Sequence, residues 1–209
     1  MFDPASLATF VVAGLLLNIT PGPDVLYIVG RSLAQGRAAG VVSAFGIATG
    51  SLVHVTGATL GLSAVLATTP LAYDGVRYAG AAYLVWLGVR ALRSRASALT
   101  IDQAGTFSRA AIFRQGAITN VLNPKVALFF LAFLPQFTDP ARGSVAVQAA
   151  ILGLIFIANG LLVCVGYALG ASAIGAWLRT RYDVHTWMNR AMGALFVGLG
   201  VRLALGARR

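Results

Sequence analysis

The sequence predicts an all-α integral membrane protein of six transmembrane helices, arranged as two inverted three-helix repeats. Three observations predict this fold. The 209 residues are 58% hydrophobic and only 11% charged, whereas about a quarter of an average soluble domain is charged. The apolar residues fall into six segments, each close to the roughly 20 residues that a spanning helix requires. The first and fourth segments contain proline within the apolar run, which predicts that helices 1 and 4 are broken.

The charged residues and the cysteine exclude other classes of protein. The net charge is +10, but a mean hydropathy of +0.80 excludes a disordered chain and argues against a nucleic-acid partner. The single cysteine excludes a disulfide framework. Two histidines and no glutamate are too few ligands for a metal site, so we expect no metal and no cofactor. The first apolar run has no basic leader, and we interpret it as a retained span rather than a signal peptide.

Formal charges mark the predicted limits of the six spans. Repeat one covers about residues 1–92 and contains spans at about 5–29, 41–66 and 71–92. A polar, basic loop follows at about 93–114. Repeat two covers about 115–209, with spans at about 115–137, 145–170 and 187–207. The whole chain, residues 1–209, is therefore predicted to be one transmembrane transporter domain.

The two halves share an internal repeat. Leu87–Arg90 reads Leu-Gly-Val-Arg, and Leu199–Arg202 is identical. Residues 38–73 and 143–178 each form an uncharged stretch of 36 residues at corresponding places. Because each repeat has an odd number of spans, the second is inverted relative to the first, which is a recurring plan in transporters. Chance similarity between glycine- and leucine-rich helices is the alternative.

The distribution of arginine predicts the orientation of the chain. With the N-terminus outside, ten arginines lie on the inner side and five on the outer side. The positive-inside rule favours this arrangement. The C-terminal pair, Arg208 and Arg209, argues for the opposite one. We therefore expect a multi-pass membrane protein whose N-terminus is outside.

The strongest local signal is the segment from Asn18 to Asp24, which contains Pro21, Gly22 and Pro23. Two prolines around a glycine remove backbone donors and open the helix. Backbone groups freed in lipid cost several kcal/mol each. The break is therefore expected to face the bundle interior or a cavity. A packing kink without a role in substrate binding is the alternative.

Span four contains a matching break at Asn123 and Pro124, followed directly by Lys125, the single lysine of the chain. At about 1.5 Å per residue, the two breaks are expected about 12 and 15 Å from the same membrane face. They can therefore meet near the middle of the membrane and form a polar site. The asparagines Asn18, Asn120 and Asn123 are expected to satisfy the opened backbone, with direct substrate contact as the alternative.

Asp24 and Lys125 predict a site for a zwitterionic solute. An ionised side chain deep in a span costs roughly 2.5–3.5 kcal/mol and usually has a function. Asp24 and the freed carbonyls would bind an ammonium group, whereas Lys125 and the amides after Pro124 would bind a carboxylate. Asp24 and His54 are the candidate proton-coupling residues. The alternatives are an interfacial Asp24, a structural ion pair or carbonyl contact for Lys125, and an interhelical hydrogen bond for His54.

Glycines spaced four residues apart predict close packing between helices. The pairs are Gly46 and Gly50, Gly57 and Gly61, and Gly166 and Gly170. We interpret these glycines as structural rather than as part of the site.

Taken together, these residues resemble the lysine exporter (LysE/RhtB) family of bacterial amino-acid exporters. The matching segments span nearly the whole chain: Pro21-Gly22-Pro23, the glycines from Gly36 to Gly50, Tyr83–Gly88, Phe113–Lys125, Pro135-x-Phe137 and Asn189–Arg202. The resemblance implies a secondary transporter of the bacterial inner (plasma) membrane. It would export amino acids or close derivatives by antiport with protons, and a homo-oligomer is left open.

Two other functions compete with export of amino acids. An intramembrane enzyme requires a nucleophile–base pair or metal ligands within the spans, and we expect none from two histidines, one cysteine and no glutamate. An exporter or channel for another small solute or ion is the stronger alternative. It would need only a polar path through the same helices.

Overall fold

The computed structural model describes residues 2–68 and 106–171, together with isolated helical positions between 75 and 93 and between 173 and 205. The regular elements within these ranges are helices. In chain order, α1 is Pro4–Ile19, α2 is Pro23–Gln35, α3 is Arg37–Thr68, α4 is Arg109–Val121, α5 is Pro124–Leu128 and α6 is Val145–Leu169. Between α5 and α6 lie a π-helix at Phe129–Phe133 and two 3-10 helices, Leu134–Phe137 and Pro140–Arg142.

Four of the six predicted spans correspond to described helices. Within α3 and α6, Arg37–Gly61 and Val145–Leu169 are each 25 residues long and apolar enough to cross a membrane. The α1–α2 pair is bent by 49°, and α4 with its continuation to Phe137 is bent by 51°, so each pair can form one broken span. Predicted spans three and six lie largely outside the described residues. The six-helix, two-repeat arrangement therefore stays a prediction.

Proline causes the break in the first span. In a continuing helix, the carbonyls of Leu17 and Ile19 would accept from residues 21 and 23, but Pro21 and Pro23 have no N–H to donate. The first helix ends at Ile19, and α2 begins at Pro23 after Gly22 in an extended conformation. The predicted break in the first span is confirmed.

Asparagine and proline together cause the second break. The side-chain oxygen of Asn123 accepts from the backbone N–H of Lys125 at 3.1 Å and so caps α5. Pro124 occupies the first turn of that helix, where its missing N–H removes no helical bond. Both α2 and α4 contain 13 residues, or about 20 Å of helix. The two breaks therefore lie at matching distances from the helix ends on that side.

Both half-helices continue beyond the apolar segments, and the distances of about 12 and 15 Å from the membrane face stay a prediction. The first extends to Gln35. The other begins at Arg109, inside the stretch predicted to be a loop at 93–114, so that loop prediction is wrong from residue 109 onward. The hydroxyl of Ser108 accepts from the N–H of Ala111 at 3.2 Å, and such an N-cap lets a helix start in a polar segment.

Glycines bring α3 and α4 into backbone contact. A Cβ atom on Gly50 would lie 2.5 Å from the carbonyl oxygen of Ala117, and one on Gly116 would lie 2.8 Å from that of Ser43. A Cβ atom on Gly46 would likewise meet a carbonyl oxygen of α4, that of Phe113. The predicted close packing at Gly46 and Gly50 is confirmed. At Gly57, Gly61 and Gly166, no atom of the described residues lies within 4 Å of such a Cβ, so close packing there stays a prediction.

The described positions of spans three and six also contact each other through glycine. A Cβ atom on Gly88 or Gly193 would lie 2.6 Å from the carbonyl oxygen of the other. Gly88 also meets the backbone of Val197, and Gly200 meets that of Val85. Residue numbers rise along one helix as they fall along the other, so the two helices are antiparallel. The Gly88–Val197 and Gly200–Val85 contacts occupy equivalent places in the sequence repeat.

An aromatic cluster fills the bundle on the side of the breaks opposite α2 and α4. Phe10, Phe129, Phe133 and Phe156 are at most 3% exposed. The ring of Phe129 lies 4.7 Å from the rings of both Phe133 and Phe156, measured between centroids. Rings at such distances contribute about 0.5–1.5 kcal/mol per pair beyond the burial of their surface. The cluster therefore fills this end of the bundle with an apolar core.

We expect Gly50→Ala to lower the thermal stability of the protein in detergent, because the added methyl group must displace the carbonyl of Ala117. Such overpacking typically costs about 1–3 kcal/mol. Gly57→Ala in the same helix is the matched control, since both changes raise helix propensity equally. Melting curves of the two purified variants test this expectation. Equal melting temperatures would contradict it.

Candidate functional site

A small cavity lies where the two broken helices meet. Its polar lining consists of Asn18, Gly22, Asp24, Ser51, Asn120, Asn123 and Lys125. The rest of the lining is mainly apolar and comes largely from α3 and α6. The space has room for about two water molecules. The two breaks thus converge on one polar space in the interior of the bundle.

Lys125 connects the second break to the first. Its ammonium Nζ donates to the carbonyl oxygen of Thr20 at 2.7 Å. The side chain passes over Gly22, where a Cβ atom would lie 3.5 Å from Nζ. A hydrogen bond from a charged donor is roughly twice as strong as a neutral one. The carbonyl that the first break frees is therefore held by the lysine that follows the second.

Asp24 lies in the first turn of α2 and is bonded through one of its two oxygens. Asn120 Nδ2 donates to Asp24 Oδ2 at 2.9 Å, whereas Oδ1 is buried and has no hydrogen-bond partner in the part of the chain that the structure describes. Both Asp24 and Lys125 are described residues, and no N–O distance between them is within 4.0 Å. The predicted alternative of an ion pair between them is therefore wrong. An acid and a base face one cavity without neutralising each other by direct contact.

Asn120 links three helices at the cavity. It is 1% exposed, and its side-chain oxygen accepts from the hydroxyl of Ser51 at 3.0 Å. Its backbone carbonyl lies 3.0 Å from Nε2 of His54. The predicted interhelical hydrogen bond of His54 is confirmed. Through Asn120, the position of the Asp24 carboxylate is tied to two residues of α3.

The amides at the start of α5 are occupied within the protein. The N–H of Lys125 bonds to the side chain of Asn123, and the N–H of Val126 bonds to the carbonyl of Asn123 at 3.2 Å. A solute would have to displace these bonds to reach either donor. The prediction that amides after Pro124 bind a carboxylate is therefore wrong for these two groups.

The predicted site residues divide into two groups. Six of the nine substrate-binding candidates line the cavity: Asn18, Gly22, Asp24, Asn120, Asn123 and Lys125. Pro21, Pro23 and Pro124 do not line it; they produce the breaks. Among the asparagines, Asn123 satisfies the opened backbone as expected, whereas Asn120 bonds to Asp24. Asn18 Nδ2 is buried without a hydrogen-bond partner.

Sequence reasoning missed Ser51, Tyr167 and the α6 face of the cavity. Tyr167 donates its hydroxyl to the carbonyl of Ile19 at 2.5 Å, which is one of the two carbonyls that proline leaves without a helical donor. Serine and tyrosine are common in membrane helices. Their spacing alone therefore gave no signal of these contacts.

A polar cluster closes the bundle between the cavity and the ends of α2 and α4. The hydroxyl of Tyr27 donates to the carbonyl of Ile112 at 2.8 Å. The guanidinium of Arg31 donates to Gln115 Oε1 at 3.4 Å and lies 4.3 Å from the ring centroid of Phe107. We call Tyr27, Arg31, Phe107 and Gln115 the polar closure. The cavity therefore lies between this closure and the aromatic cluster.

We expect Tyr167→Phe to destabilise the fold by about 1 kcal/mol, because it leaves the carbonyl of Ile19 without its donor. Tyr27→Phe is the comparison variant. Its partner carbonyl, at Ile112, lies within an unbroken helix, so we expect a smaller loss. Melting curves in lipid nanodiscs measure both effects. A loss for Tyr167→Phe no greater than that for Tyr27→Phe would argue against the role of this hydroxyl at the break.

Comparison with known proteins identifies the family. Residues 15–207 match the family of LysE type translocators. The homoserine/homoserine lactone efflux protein of Salmonella typhimurium (strain LT2) is 32% identical, over 93% of this chain and 94% of its own length. The leucine efflux protein of Enterobacter sp. (strain 638) is 28% identical over 97% of each chain. An uncharacterized membrane protein of Vibrio cholerae is 30% identical over 93% of this chain and 94% of its own.

No solved structure matches the chain. The family match covers most of the sequence, and the resemblance found from the residues alone is confirmed. Relatives across the same length are named as efflux proteins for amino acids or their derivatives. The chain belongs to the LysE-type family of amino-acid efflux translocators, and it is a transporter rather than an enzyme.

Proposed function

We propose that this protein is a proton-coupled secondary transporter that exports amino acids or close derivatives across the bacterial inner membrane. One observation carries the proposal. Asp24 and Lys125 line one buried cavity, at the meeting point of two broken helices, and do not pair with each other. In membrane transporters, substrate sites lie at such discontinuous helices. An intramembrane acid and base with no ion pair between them are expected to act on a solute.

The free hydrogen-bonding capacity of the cavity fits an amine-bearing solute. An ammonium group would bind at Asp24 Oδ1, which has no hydrogen-bond partner among the described residues. A carboxylate or a lactone carbonyl would accept from Lys125, whose ammonium has three donors and uses one on Thr20. The amide of Asn18, whose Nδ2 has no partner, supplies a further donor. The site thus offers an acceptor at one place and donors at two others.

The closures above and below the cavity support a transporter over the alternative of a channel. A channel for a small solute or ion requires a continuous polar path in its open state. Here the polar closure lies on one side of the cavity and the aromatic cluster on the other. An alternating-access transporter opens such closures one at a time.

The proposal includes the membrane arrangement predicted from the sequence. It has six spans as two inverted repeats in one domain, with the N-terminus outside. A proline break in both the first and the fourth span, which take corresponding places in the two repeats, supports it. The reciprocal contacts of Gly88 with Val197 and of Gly200 with Val85 also support it, because antiparallel contacts at equivalent positions are expected between inverted repeats.

Charge removal at the site tests the proposed function. We expect Lys125→Met to abolish both amino-acid exchange and net transport, since the carboxylate loses its cationic partner. We expect Asp24→Asn to keep weak exchange, because an amide oxygen can still accept from ammonium, but to lose accumulation driven by a pH gradient. Proteoliposomes with an imposed pH gradient and labelled leucine and homoserine measure both activities.

The matched controls are Asp139→Asn and Arg142→Met. These residues form an exposed ion pair of 3.3 Å outside the cavity, so their removal takes away the same charges without touching the site. Wild-type transport by both cavity variants, shown to be inserted in the membrane, would overturn the proposed site. Flux of a metal ion or another solute in place of amino acids would favour the alternative function.

Proton coupling assigned to Asp24 can be separated from the role of His54. His54→Gln keeps a hydrogen-bonding group near the carbonyl of Asn120 but cannot take up a proton. We expect this variant to retain transport driven by the pH gradient. Loss of pH-driven accumulation in His54→Gln, with exchange intact, would instead assign the proton to the histidine.

A further inference from the structure

One face of α6 supplies half of the apolar lining of the cavity. The lining residues of this helix are Phe156, Ile157, Gly160, Leu161 and Cys164. Steps of three and four residues place them along one side of a helix. None of them carries a charge or an amide. The charged and amide groups of the lining come instead from α1, α2, α4, α5 and the two breaks.

This division assigns different parts of a solute to different walls. In the function proposed above, the ammonium and carboxylate common to all amino acids go to Asp24 and Lys125. The side chain, which distinguishes one amino acid from another, then lies against a wall without charge. The α6 face supplies half of that wall, and the rest consists of Val25, Val126 and three residues of α3, Ala44, Ile47 and Ala48.

We propose that the α6 face selects neutral aliphatic amino acids and that Gly160 and Leu161 determine the size of the side chain accepted. This inference rests on the proposed function. A basic side chain would bring a second positive charge to a wall that offers no acid among its described residues. Burying an unpaired charge in such a place is strongly unfavourable.

Gly160 is the position at which added volume has the clearest effect. A Cβ atom there would lie 3.2 Å from Nδ2 and 3.3 Å from Oδ1 of Asn18. These atoms end a flexible side chain, so the helix can accept alanine if the amide moves within the cavity. Because the cavity is small, that movement takes space from the solute. Truncation of Leu161 has the opposite effect, since a shorter side chain in the same wall enlarges the cavity.

The experiment compares transport of labelled leucine, alanine, phenylalanine, lysine and homoserine into proteoliposomes by wild type, Gly160→Ala and Leu161→Ala. We expect Gly160→Ala to lower the ratio of leucine to alanine transport by about tenfold, the low end of what one carbon does in an apolar pocket. We expect Leu161→Ala to raise that ratio, or to admit phenylalanine. Gly166→Ala is the matched control, because Gly166 lies on the same helix with no described atom within 4 Å of its Cβ position.

Each result bears on one of the two proposals. Unchanged leucine-to-alanine ratios in both cavity variants, with wild-type transport intact, would overturn the role of the α6 face alone. Lysine transport by wild type equal to that of leucine would overturn the neutral class. If wild type moves none of these amino acids nor homoserine, the proposed function fails and this inference fails with it. Altered ratios in the cavity variants, with Gly166→Ala unchanged, support both.

Discussion

The structure depends on satisfying the backbone of two helices that proline opens inside an apolar bundle. No water is available in the hydrocarbon region to bond to a freed carbonyl, so the protein must supply each donor itself. It does so across helices. Lys125 bonds to the carbonyl of Thr20, Tyr167 bonds to that of Ile19, and Asn123 caps the helix that follows the second break. The first break is therefore stabilised by residues that belong to the second half of the chain.

This dependence also explains where the charges lie. Lys125 can reach the first break only if the two breaks lie at the same depth, and the 13-residue lengths of α2 and α4 provide that. Asp24 starts α2 at the same level, where Asn120 holds one carboxylate oxygen and leaves the other unbonded. The contacts that stabilise the breaks therefore also place an acid and a base around one space. In the proposed function, folding and solute binding therefore use the same side chains.

The sequence predicts those features of the site that have strong local causes. Proline opens a helix wherever it occurs, and a lone lysine inside an apolar segment needs a partner, so both breaks and both charges were predictable. The length of α4 was not, because an N-cap at Ser108 extends this helix into a polar segment. The partner of Lys125 and the α6 face depend on tertiary contacts. Glycine spacing likewise identified the close packing at Gly46 and Gly50, whereas Gly57 and Gly61 meet no described residue, because spacing does not reveal which face of a helix meets a given neighbour.

The most direct test removes matching charges from the solute and the protein. Binding of leucine, leucine amide and N-acetyl-leucine would be measured for wild type, Lys125→Met and Asp24→Asn. If Lys125 binds the carboxylate and Asp24 the ammonium, Lys125→Met loses the preference for leucine over leucine amide. Asp24→Asn then loses the preference for leucine over N-acetyl-leucine, and each variant keeps the other preference. If instead both variants bind all three compounds more weakly but keep both preferences, the effects of protein and solute changes simply add. That result would contradict contact between these residues and the two ends of the solute.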